Sequence, residues 1–171
     1  MIRFAPDGER IDLVVDDADA KALRELAGQF TDLLAERASI PTAERFAPTD
    51  AALLRLFPDP VPADPIESAE LRVLTEPALL EHKRTNAQRV LKTLSIPGAL
   101  EARDELAWLQ WLTDIRLVLA ARLDIVVDGD EGRTESDADR AMQWSYHALG
   151  ALQADLLDAL DSREAAGWAS R

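Results

Sequence analysis

Six of the nine prolines stand between positions 41 and 65: Pro41, Pro48, Pro58, Pro60, Pro62 and Pro65. A proline inside a helix or a central strand forfeits a backbone hydrogen bond, so no long regular element can run through this stretch. The chain is therefore split into a short N-terminal part and a long C-terminal part. Residues 38–64 read as a stiff connection laid over the surface, holding one short helix from about Asp50 to Phe57.

Ahead of the connection, residues 1–15 read as a β-hairpin. Ile2 and Phe4 alternate with polar positions, as do Ile11, Leu13 and Val15, and Pro6-Asp7-Gly8 supplies the turn. Asp16 then caps a helix with the apolar stripe Leu23, Leu26, Phe30, Leu33 and Leu34, expected to end near Arg37. After the connection, Asp64-Pro65-Ile66-Glu67 is a helix start. Thr75-Glu76-Pro77 predicts a break near Leu74 and a new helix to Leu94. Pro97-Gly98 closes it, and a helix follows from about Leu100 to Leu123. Residues 124–139 read as a mobile acidic loop. Thr134-Glu135-Ser136-Asp137 caps a last helix reaching about Asp161, whose Met142, Tyr146, Leu149, Gln153, Leu156 and Leu160 form a heptad-like seam. Residues 162–171 are expected to fray. The fold class is all-α: one domain over 1–171, with five or six helices and a small N-terminal β-hairpin.

The chain carries 19 Lys and Arg against 32 Asp and Glu, a formal charge of −13. Such acidity disfavours phosphate-driven binding to nucleic acid and anionic membranes. There is no cysteine, which removes disulfides, thiolate nucleophiles, zinc–thiolate sites and thiol redox sensing together. With two histidines, His82 and His147, a metal site would rest on carboxylates, and no E-x-x-H pair occurs on a helix. No glycine-rich phosphate loop, G-x-S-x-G or H-E-x-x-H is present. No cofactor, metal or catalytic residue is expected. Without a long apolar run or a leader-like start, a cytoplasmic protein is expected.

The sign of the charge reverses locally. From His82 to Lys92 there is no acidic residue and there are four basic ones. At about 100° per residue, Lys83 points with Leu80, Ala87, Val90 and Leu94 to the packed face, while Arg84, Arg89 and Lys92 point to water. Those three are the candidate partner-binding surface. In the helix after it, Arg122 lies within the stripe of Trp108, Leu112, Ile115 and Leu119, with Asp114 and Arg116 at its edges. Two arrangements fit: snorkelling at the domain edge, or a buried cluster in which Asp114 pairs with Lys83, Arg116 or Arg122. Trp108, Trp111 and Trp144 are expected in the core or a subunit contact, and Trp168 to dock back on the domain or on a partner. The exposed part of the Met142–Leu160 seam is the candidate homodimer interface. The two helices meeting at Thr75-Glu76-Pro77 can be read as a helix-turn-helix, and hence direct DNA binding. Yet the turn carries proline rather than glycine, and Glu67, Glu70, Glu76 and Glu81 offset the basic charge. A solvated face or a protein contact fits better.

Several segments occur together in one order: Leu56-Phe57-Pro58, Leu71-Arg72-x-Leu74-Thr75-Glu76, Lys83-x-x-Asn86-Ala87-x-x-Val90, and Asp114-x-Arg116-Leu117-x-Leu119-x-x-Arg122-Leu123. With the hairpin and Leu26-Ala27-Gly28-Gln29, they resemble an actinobacterial family of helical proteins of unknown function, encoded beside the Clp-protease adaptor ClpS. One branch of it is named AosR, an oxidative-stress transcription regulator. The resemblance implies regulation rather than catalysis: a non-enzymatic protein acting on transcription through a protein partner. Arg72, Lys83, Asn86, Asp114, Arg116 and Arg122 are its motif positions, read first as structural. An adaptor for Clp-type proteolysis is the alternative, and an unrecognised enzyme a third. A peroxide switch normally works through thiols, so an oxidative signal would have to enter through a partner.

Overall fold

The computed structural model describes residues 1–127 and 129–169, with side chains through residue 166. Two strands, β1 (Ile2–Asp7) and β2 (Arg10–Val15), pair antiparallel from Ile2 opposite Val15 to Asp7 opposite Arg10. Gly8, at φ 61°, makes the turn where a side chain would be strained. Five α-helices follow: α1 (Asp17–Ser39), α2 (Ala51–Leu56), α3 (Pro65–Ser95), α4 (Ala102–Arg122) and α5 (Asp137–Ala169). The fold is thus all-α with a small hairpin.

The helix starts are set by side chains that replace missing backbone partners. Asp16 accepts from the amide of Asp19, Asp50 from Ala52 and Leu53, and Asp64 from Ile66 and Glu67. At the head of α5, Ser136 and Asp139 bond to each other's backbone in a capping box.

The hairpin is too small to stand alone. It is extended by the segment before α4, where Leu13 N donates to the Gly98 carbonyl and Leu100 N to that of Ile11, both at 2.8 Å. Its inner face then closes on the helices. Phe4 meets the edge of Trp108 with ring centroids 5.3 Å apart, and Trp108 meets Trp111 at 5.7 Å. Around them pack Phe30, Leu34, Val90, Leu94, Leu112 and Leu156, all buried.

The predicted break at Thr75-Glu76-Pro77 does not occur. The two expected helices are one, α3, with Pro77 inside it. Pro77 and Val73 are exposed, so the carbonyl that proline leaves without a partner can turn to water. Glu76, one residue earlier, is buried and fixed by arginines on both sides, which outweighs the local bias against helix before proline. The helix-turn-helix is therefore not formed. The tail also differs from expectation: α5 continues past Asp161 to Ala169, and Arg163 donates from Nη1 and Nη2 to the two carboxylate oxygens of Glu105 of α4. Trp144 does not join the core; it is 72% exposed. Trp168 lies outside the described side chains. The seam of α5 is spent largely within the chain, Leu149 and Leu156 buried and Met142, Tyr146 and Leu160 packed against the core.

Candidate functional site

Helix α3 presents its basic residues in two ways. Arg84, Gln88 and Lys92 recur every four residues and form an outward ridge, all exposed. Among the described residues, Arg84 has one carboxylate within reach, Glu81 at 3.6 Å. Arg89 does not point freely to water as expected. It lies across to Asp104 at 2.9 Å, tying α3 to the first turn of α4. Arg84 and Lys92 are thus the members of the predicted trio that stand open to a partner.

The motif positions lie beside this ridge. Lys83 Nζ sits 2.6 Å from Asp114 Oδ1, so of the two arrangements left open the paired one forms, and with Lys83. Asn86 donates to Gln110 Oε1 at 2.7 Å, and His82 Nε2 lies 2.8 Å from the same oxygen. These residues and Leu79 line an open cleft of about 310 Å³ between α3 and α4. One turn on, Arg116 donates to Gln153 at 2.8 Å and stands 5.0 Å from the Tyr146 ring centroid, while Gln153 donates to Thr113 at 2.9 Å. The result is a polar strip across α3, α4 and α5. Arg122 leaves its apolar stripe to pair with Asp50 at 2.6 Å, which fastens α4 to the cap of α2.

Burial pushes the Asp114 carboxyl above its ordinary value, and the Lys83 ammonium offsets only part of this. A raised carboxyl means the native state prefers the protonated form, so the ionised pair withholds stability once pH rises past the ordinary carboxyl value. Removing one partner is different, because it strands the other charge. Asp114→Ala is expected to destabilise by about 3 kcal/mol, whereas Lys83→Met with Asp114→Leu should be neutral or stabilising. Urea unfolding of the two variants checks this, and a double variant as unstable as the single one contradicts it.

A second ionic group, deeper than the first, escaped the sequence reading apart from Arg72. Glu76 accepts from Arg37 Nε at 2.8 Å and from Arg72 at 3.1 Å, and all three are at most 4% exposed. Arg72 also reaches Asp59 at 2.6 Å and the Phe57 carbonyl at 3.0 Å; Arg37 reaches the carbonyl of Phe46 at 2.7 Å. Arg45 adds bonds to the carbonyls of Ile40 and Ala38. The proline-rich connection is thereby bolted to α1 and α3. The available signal was the four-residue spacing of Arg72 and Glu76, which puts them on one face.

Among the described residues, no three His, Asp or Glu side chains gather as a metal site, and no helix is long and apolar enough to cross a membrane.

Residues 1–160 match the family model described as "Domain of unknown function (DUF2017)". The "Oxidative stress regulator AosR" of Mycobacterium tuberculosis (strain ATCC 25618 / H37Rv) is 33% identical over 153 residues, covering 73% of this chain and 70% of the relative. The protein of the same name from Mycobacterium bovis gives the same figures. No solved structure matches significantly. Identity at this level over most of both chains, together with the family match over residues 1–160, makes the chain a member of the DUF2017 family.

Proposed function

We propose that this is a non-enzymatic, cytoplasmic regulatory protein that acts on transcription through a protein partner, and that the partner meets the outward ridge of α3 at Arg84 and Lys92. The observation that carries the reading is the ridge itself: an exposed basic face, flanked by Glu81 but without an acidic residue from His82 to Lys92, on a chain of charge −13. Its relatives' name, oxidative stress regulator, supports regulation. A protein partner is favoured over DNA because the surrounding charge repels phosphate and α3 runs on as one helix. Arg89 contributes from behind the ridge, its charge shared with Asp104. With no cysteine in the chain, an oxidative input arrives through the partner.

The test is capture of partners from nuclease-treated native lysate by the wild type and by Arg84→Glu/Lys92→Glu. Transcription machinery such as RNA polymerase or a sigma factor is expected with the wild type and lost with the variant. Clp components in its place, or equal capture by both, would contradict the proposal.

A further inference from the structure

The helices leave one side of the molecule open. Helix α1 packs mainly on α3, and α5 on α4 and β1. Between α1 and α5 runs a groove made of two adjoining cavities of about 400 and 90 Å³, with Leu26 lining both. Its floor and walls are apolar, with Leu33, Val118, Leu119, Met142 and Leu149 prominent, and Trp144 stands exposed at its α5 edge. It follows α1 from Asp19 to Glu36, a span of about 25 Å, which matches a helix of about 17 residues.

Among the described residues, the charges of the rim that lack a partner lie on α1. Asp32 and Glu36, one turn apart on α1, line the groove beside Leu33. Two like charges at this spacing weaken a helix unless something neutralises them, and neither has an ion-pair partner among the described residues. The cation at that end, Arg122, is taken by Asp50. Asp19, at the other end, is engaged by the Met1 ammonium.

We infer that the α1–α4–α5 groove receives one amphipathic helix of a partner protein, with a row of large apolar side chains on one face and a Lys- or Arg-rich flank against Asp32 and Glu36. An apolar row fills the groove as a helix fills such clefts elsewhere, and the basic flank supplies the charge the rim lacks. A second copy of this chain does not fit the role, because two molecules of charge −13 repel. The site uses no residue of α3, so it is independent of the ridge that carries the proposed function.

Labelled helical peptides of about 18 residues test this by fluorescence anisotropy against the full chain. One carries a Leu row and a Lys flank, one the same row with a Glu flank, and one scrambles the Lys peptide. The Lys-flanked peptide is expected to saturate and to bind about fivefold tighter than the Glu-flanked one, as two screened ion pairs allow. The scrambled peptide should be weaker still. In Asp32→Lys/Glu36→Lys the flank preference should reverse, and these exposed positions leave the fold intact. No saturation by about 1 mM, equal binding of the scrambled peptide, or an unreversed preference would overturn the inference. So would wild-type dimers that Trp144→Asp dissociates, since the occupant would then be a second copy.

Discussion

Glu76→Ala is expected to destabilise the protein by about 3–5 kcal/mol, the largest loss from any single polar side chain. The substitution leaves the buried Arg37 guanidinium without its carboxylate and the buried Arg72 guanidinium with Asp59 alone, and it loosens the residue 40–60 connection that those arginines hold by its carbonyls. For a domain of this size, 4 kcal/mol lowers the melting temperature by about 8–16 °C. Burial alone would raise the Glu76 carboxyl. The hydrogen bonds and charges of Arg37 and Arg72 outweigh it and hold the group below its ordinary value of 4.5. A lowered carboxyl stabilises the native state above its unfolded value, and that stability drains as pH falls through the lowered one. Glu76→Gln, already deprived of the charge, should therefore lose less further stability than the wild type between neutral pH and the region below 4.5. Melting curves across that range check both statements; a wild type and variant that fall in parallel would show that the network is not held by charge.

Trp108→Ala should match that loss, at about 3–5 kcal/mol, because its ring lies between Phe4 of the hairpin and Trp111 of its own helix and is fully buried. Conservative changes separate packing from hydrogen bonding. Trp108 Nε1 donates to Thr93 at 3.0 Å, whereas Trp111 Nε1 is buried without a partner among the described residues. Trp108→Phe removes a satisfied bond, while the Thr93 hydroxyl keeps its own bond to the Val90 carbonyl at 2.9 Å. Trp111→Phe removes a group that was already unsatisfied. Denaturant unfolding should rank Trp108→Phe as the more damaging of the two, and the opposite order would mean that the indole volumes alone decide.

Local chemistry was readable in the sequence wherever it acts over a few residues. Asp16 and Asp64 cap the helices they were expected to cap, the short helix expected from about Asp50 begins there, the hairpin turns at Gly8, and the face assignment of Lys83 anticipated its pairing with Asp114. What was not legible depends on partners far along the chain. Pro77 reads as a break because the residues beside it cannot reveal that Glu76 will be claimed by Arg37, 39 residues earlier. Residues 162–171 read as a frayed tail because nothing near Arg163 announces Glu105, 58 positions away. Arg89 reads as exposed on a helical wheel because a wheel has no neighbour on it, and the neighbour is Asp104. Arg84 and Lys92 have no distant carboxylate partner among the described residues and remain at the surface, which is why the proposed contact is assigned to them.

Folding rests on the buried ionic and aromatic groups, and partner binding, as proposed, on the ridge of α3. The most direct measurement pairs a melting curve with partner capture for Arg84→Glu/Lys92→Glu. A melting temperature within about 2 °C of wild type is expected, as for surface substitutions generally, together with loss of the captured transcription machinery. Undiminished capture by a variant that melts normally would contradict it, and so would a melting temperature that falls as far as that of Glu76→Ala.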